Sequence, residues 1–161
     1  MQRSVTAATV RPLAISRRSS KLSGRVIAIV DSGPLYAVVD AGDDEHDRCR
    51  ETLESSDLQL IIPALVVGEV TYMVARRLGP EIEAAFLRGL ARFEIEAPAP
   101  EDWPRMAELV KRYREFPLGG TDASVVALAE RLETDLVITL DHRHFAAIRP
   151  RHRPAFRLLP E

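Results

Sequence analysis

The chain has 161 residues, 46% of them hydrophobic and 29% charged, with a formal net charge of −2. That length suits one domain with a core that needs no covalent staples, and the composition is that of an ordinary globular protein. No apolar run approaches the roughly 18 residues of a membrane span, the single Cys49 excludes an intrachain disulfide, and no Cys/His cluster has zinc spacing.

The charge is unevenly spread. Residues 1–25 hold Arg3, Arg11, Arg17, Arg18, Lys21 and Arg25 and no acid, so this segment is +6 and the remainder −8. Acid-free, Arg- and Ser-rich leaders fit a transit peptide, an arm that touches nucleic acid, or a start placed too far upstream. The expectation adopted is a basic, disordered extension over 1–24 ahead of a domain over 25–161, in a reducing, cytoplasmic setting.

From Arg25 onward strand and helix alternate. Val26-Ile27-Ala28-Ile29-Val30 reads as a strand buried on both faces, and Gly33-Pro34 opens a short helix over 34–39. A polar turn leads to an exposed helix over 45–55. A second strand over 58–62 stops at Pro63. Helices over 64–78 and 81–92, separated by Gly79-Pro80, form a hairpin. Residues 93–96 alternate as a half-buried strand, and 101–113 is an amphipathic helix with Pro104 in its first turn. A helix over 121–133, a strand over 136–140 and a last strand over 156–159 complete the pattern. Such alternation predicts a parallel sheet covered on both faces.

Four acids stand at unusual places in this pattern. Asp31 ends the first strand and Asp141 ends the strand over 136–140, which puts both at the edge where open α/β sheets carry their sites. Each could equally be a helix cap, Asp31 for the helix after Gly33 and Asp141 for a turn of helix over 142–145. Glu69 shares a helical face with Leu65, Val66 and Met73, an apolar stripe on which a carboxylate needs a partner, unless it reaches solvent from the stripe's edge. Asp122 heads the stripe of Val125, Val126, Ala129 and Leu132, with Thr121 as the expected N-cap; an acid there also suits the helix dipole. Carboxylates gathered together repel one another, and a hard divalent cation, which prefers oxygen ligands, relieves that repulsion. Such a site activates water and neutralises a phosphodiester in its transition state, the chemistry of a metal-dependent nuclease.

The order Val30-Asp31-Ser32, Val67-Gly68-Glu69-Val70, Gly119-Gly120-Thr121-Asp122-Ala123-Ser124 and Ile138-Thr139-Leu140-Asp141 resembles the PIN-domain family, specifically its VapC-type toxin nucleases. The resemblance spans about residues 26–159. It implies a three-layer α/β/α domain with a central, mostly parallel five-stranded sheet, and an acidic pocket holding Mg²⁺ or Mn²⁺. By motif match the catalytic and metal-binding acids are Asp31, Glu69, Asp122 and Asp141, with Thr121, Thr139 and Ser32 as supporting polar groups. His46 resembles a frequent family feature, or is a solvated histidine at a helix start. The implied activity is endoribonucleolytic, and the implied partners are an RNA, a cognate antitoxin that inserts an arginine near the acids, and a second copy of the chain. The hairpin over 64–92 resembles the family's clamp for these partners, although its apolar positions also suit a core.

A domain of charge −8 needs local cations to hold RNA. Arg143, Arg149 and Arg151 supply one candidate cluster, and Lys111, Arg112 and Arg114 another, though charge runs are more often simply solvated. Two other readings fit strand-end aspartates. One is a phosphotransfer α/β domain, disfavoured because no second Asp follows Asp31-Ser32-Gly33 and no Lys ends the strand over 136–140. The other is a catalytically silent PIN fold that serves as a binding module, disfavoured by the presence of all four acids.

Overall fold

A computed structural model of the protein describes residues 24–116 and 118–161. The expected basic extension over 1–24 therefore lies, apart from Gly24, outside the described residues. Among the described residues five strands form one sheet: β1 (Val26–Val30), β2 (Leu58–Pro63), β3 (Glu94–Glu96), β4 (Leu136–Ile138) and β5 (Arg157–Leu159). The order is β3-β2-β1-β4-β5 and every pairing is parallel. Between them run α1 (Ser32–Ala37), α2 (His46–Leu53), α3 (Ala64–Arg77), α4 (Pro80–Leu90), α5 (Asp102–Arg112), α6 (Gly120–Arg131) and α7 (His142–Ala147). No described helix is long and apolar enough to cross a membrane.

The strand order places the site. The chain moves from β1 outward through β2 to β3, then returns to the other side of β1 for β4 and β5. Parallel connections are right-handed, so this reversal sends the earlier helices to one face and the later ones to the other. In open α/β sheets ligands bind where the order reverses, which here is between the carboxyl ends of β1 and β4. Asp31 and Asp141 follow those two strands.

The central strands are apolar because both faces are covered. Ala28, Ile29, Val30, Val137 and Ile138 are fully buried, and each of the larger side chains gains about 1.5–3 kcal/mol from leaving water. The central helix α6 is buried along Ala123–Ala129 and meets β1, β2 and β4. On α3 the buried stripe is Val66, Val70 and Val74.

Most expected boundaries move by a residue or two, and three of the shifts bear on the acids. α1 starts at Ser32, because Asp31 is extended (φ −86°, ψ 170°) and acts as the N-cap; Pro34 then falls in the first turn, where no amide hydrogen bond is lost. α6 starts at Gly120 with Gly119, not Thr121, as N-cap. β4 ends at Ile138, two residues early, although Thr139 N–H still bonds Leu159 O across to β5 (2.8 Å).

Candidate active site

Asp31 is the deepest of the four acids, 4% exposed. Its backbone N–H continues the sheet by bonding Ile138 O on β4 (2.9 Å), which fixes where the side chain leaves the strand. The Thr139 hydroxyl donates to Asp31 Oδ2 (2.7 Å) and itself accepts from Asp141 N–H (3.0 Å). A single threonine thus ties the two strand-end aspartates together. The other carboxylate oxygen, Oδ1, is buried with no hydrogen-bond partner. Loss of hydration pushes the Asp31 pKa up to about 6, against Thr139 and the neighbouring Ser32 N–H, while the charges of Asp122 and Glu69 push it further up.

Asp122 occupies the third position of α6 and accepts from Gly119 N–H (3.0 Å), a capping interaction across the Gly119-Gly120 turn. Its pKa is raised by partial burial and by Glu69 and Asp141, and lowered by the Gly119 amide and by His144. Glu69 is exposed rather than seated on an apolar stripe, because the buried stripe of α3 runs one residue further round, through Val66 and Val70. It still lies close enough for its charge to act on both Asp31 and Asp122. Asp141 is exposed and caps α7, accepting from His144 N–H (3.0 Å) and contacting His144 Nδ1. The cap and the site are one residue here, and the two roles do not compete.

The supporting groups divide. Thr139 is fully buried and holds Asp31. Ser32 acts through its backbone amide. Thr121 is half-buried, and its carbonyl accepts from the Ser124 hydroxyl (2.6 Å). His46 is half-buried; its Nδ1 meets Ala37 O (2.9 Å) and ties α2 to the end of α1.

Two of the three arginines expected to hold RNA are engaged inside the molecule. Arg149 folds back on the carbonyls of Ala146 and Ile148 (2.7 and 3.2 Å), and Arg151 pairs with Glu108. Arg143 has no acidic partner among the described residues; its guanidinium lies over the Phe116 ring, 5.8 Å from the centroid. The second cluster is partly engaged too, with Arg114 beside Glu115 (3.7 Å) and Arg112 over Tyr113. His144 was not marked by the sequence pattern, although its position three residues after a capping Asp is the signal that places it.

No Arg or Lys pairs with Asp31, Glu69 or Asp122 among the described residues, so the pocket's negative charge is not balanced from within. As the side chains stand, no three Asp, Glu, His or Cys among the described residues are gathered tightly enough to hold an ion. The chemistry nonetheless fits a hard cation. The donors are all oxygens, one of them is buried and unpartnered, and burial, with a smaller push from neighbouring acids, raises two of the acids.

The PIN-domain family model matches residues 28–149. The chain belongs to the PIN-domain family. Within it, the chain is 36% identical over 134 residues to Ribonuclease VapC26 of Mycobacterium tuberculosis, a match covering 82% of this chain and 99% of that protein. The PIN fold also aligns with the crystal structure of M. tuberculosis VapC20, described as a sarcin-ricin loop cleaving toxin (TM-score 0.68, 21% identity, 74% of this chain and 94% of that one). It aligns as well with VapBC2 of Rickettsia felis, solved bound to a fragment of promoter DNA (TM-score 0.64, 15% identity, 84% and 100%). At these identities the two structures share the fold. The all-parallel five-stranded sheet is the PIN arrangement expected from the motifs.

Proposed function

We propose that this PIN protein is a VapC-type toxin, a divalent-metal-dependent endoribonuclease held in check by a cognate antitoxin. The carrying observation is Asp31: a buried carboxylate at the β1/β4 switch point, one oxygen held by Thr139 and the other unpartnered, beside two more acids, with no Arg or Lys paired to it among the described residues. The kinship with a ribonuclease along almost the whole length of that relative supports the same reaction here.

Asp31, Glu69, Asp122 and Asp141 are the residues that would hold the ion, Mg²⁺ or Mn²⁺. Once bound, the cation supplies an activated water and neutralises charge on the scissile phosphate. The protein's share is positional. Thr139 fixes the Asp31 carboxylate and the chain at Asp141, and the Gly119 amide orients Asp122. The exposed Glu69 and Asp141 leave the pocket open to a long substrate. Uncompensated acids also suit a basic antitoxin side chain, which would neutralise the pocket and block the ion. Structural neighbours solved as toxin–antitoxin complexes support that partner, and the exposed Tyr72 and Leu87 on α3 and α4 support the hairpin as a surface for it or for a second copy.

The test is cleavage of RNA by the full chain with Mg²⁺ or Mn²⁺, repeated in excess chelator. Cutting that needs the ion and leaves 5′-phosphate and 3′-hydroxyl ends bears the reading out. Full activity in chelator, or cyclic-phosphate ends from attack by the RNA's own 2′-hydroxyl, would sink it.

A further inference from the structure

Phe116 has no evident structural employment. The other four phenylalanines, at 86, 93, 145 and 156, either belong to the hydrophobic core or pack against it; Phe116 does neither. It lies in the turn after α5, half-buried, with its ring edge-on to His144 (centroids 4.5 Å apart, 75° between planes). Arg143 stands over the same ring. His144 in turn touches the Asp141 carboxylate and lies close enough to act on Asp122. An aromatic ring and a guanidinium plane thus adjoin the acid pocket. Of the three arginines expected to hold RNA, Arg149 is folded onto backbone carbonyls and Arg151 is paired with Glu108, whereas Arg143, the one on the ring, has neither kind of partner among the described residues.

A surface of this kind suits one class of ligand. Single-stranded RNA is recognised largely by stacking unpaired bases on aromatic rings and on arginine planes, and the guanidinium also offers donors to the phosphate beside the base. We propose that Phe116 and Arg143 form a stacking platform for one base of a single-stranded RNA segment next to the acid pocket, and that this contact positions the strand for cutting. The proposal rests on the ribonuclease reading for its RNA and names the residues that would choose where the strand is held. Phe116 and Arg143 are positioning residues; they do not touch the reacting atoms.

The test uses the full chain carrying Asp31→Asn in Mg²⁺, so that RNA stays whole. The probe is a short uridine-rich oligoribonucleotide with the fluorescent base 2-aminopurine placed at each position in turn; in such a strand the probe is unstacked when free. Binding should quench emission at one position. Adding Phe116→Leu should abolish the quench and weaken binding about tenfold, within the usual worth of one stacked base. Phe116→Tyr should keep both. An oligonucleotide made abasic at the quenched position should bind the Phe116-containing protein as weakly as the intact strand binds the Phe116→Leu protein, and the Phe116→Leu protein should not notice the missing base. Because that change is made in the RNA, a folding defect cannot imitate it. No quench at any position, or a quench unaltered by Phe116→Leu, overturns the proposal. Cleavage by the chain with Asp31 intact is read in parallel. A protein that quenches but never cuts removes the nuclease reading and leaves the platform; one that cuts with no quench does the reverse.

Discussion

Where α5 packs on α6, carboxylates and arginines are matched, whereas at the carboxyl ends of β1 and β4 no arginine among the described residues pairs with Asp31, Asp122 or Asp141. At the first place Arg105, 6% exposed, grips Glu130 through two bonds of 2.8 and 2.7 Å, and Arg131 bonds Asp102 (3.0 Å). Burial alone would raise the Glu130 carboxyl, but Arg105 and the Arg151 amide hold it below its ordinary range. At the second place burial goes unanswered, and the Asp31 pKa rises to about 6. The same chain therefore pairs buried charge between α5 and α6 and leaves it unpaired at Asp31. On the proposed function, the cation missing there would come from outside, as ion, substrate contact or antitoxin arginine.

Breaking the unpaired side should have the largest effect. Asp31→Asn keeps the shape and still accepts from Thr139 while removing the central charge. RNA cleavage should fall by about 10³-fold, the scale of losing one preorganised electrostatic group, and chelation should abolish what wild type shows. Cleavage rates for both proteins at saturating Mg²⁺ check this. A variant that cuts within a few-fold of wild type would return Asp31 to a helix-capping role.

Breaking the paired side should cost stability and leave the chemistry alone. Arg105→Ala strands Glu130, and losing one partner of a buried pair costs about 3–5 kcal/mol. Urea melts should show that loss. Arg105→Met with Glu130→Leu should recover much of it, since an apolar replacement of the whole pair leaves no buried charge unpaired, only the exposed Arg151 amide without its acceptor. Equal losses in the single and double variants would mean that packing, not charge, holds α5 to α6.

Acidity sharpens the contrast. A carboxyl whose folded pKa lies above its unfolded value contributes stability below the unfolded pKa and loses it as pH rises through the folded one. For Asp31 that window runs from 3.8 to about 6. The metal-free protein should lose about 2–3 kcal/mol from this group across it. Glu130, with its pKa lowered, works in the opposite sense and loses its contribution as pH falls. Melts of wild type and Asp31→Asn from pH 4 to 8 in chelator should therefore diverge as pH rises, with the variant the more stable at the top. Parallel curves would show that Asp31 is not strained by its charge.

The sequence carried the sheet and two of the acids because each is a local pattern: an apolar β-branched run followed by Asp. It carried Glu69 less well. Six apolar residues surround that position between Leu65 and Val74, so the helix offers two candidate stripes, and contact with β2 and α6, which no local pattern encodes, decides for Val66, Val70 and Val74. Thr121 looked like a cap because threonine favours that role, but the backbone turns a residue or two earlier, at Gly119. The arginines were hardest. Arg151 is 43 residues from Glu108, and Arg105 is 25 from Glu130. A basic run therefore reads the same whether its charges face RNA or their own protein.

The smallest expected effect is also the one that best separates a site from a cap. Asp122 is repelled by Glu69 and Asp141 and partly desolvated, yet it accepts a hydrogen bond from Gly119. Asp122→Asn keeps an oxygen for that amide and removes the charge. In chelator at neutral pH the variant should be more stable by about 1 kcal/mol, the usual gain from relieving strain at a functional site. The gain should shrink as pH falls toward the ordinary carboxyl range, where the wild-type group is protonated too. With Mg²⁺ the order should reverse, because ligand binding stabilises in proportion to affinity and the intact pocket binds the ion more tightly. If Asp122 were a cap alone, the variant would lose a favourable contact with the helix dipole and melt lower with or without the ion. Four thermal melts, of wild type and variant in chelator and in Mg²⁺, show whether the two curves cross.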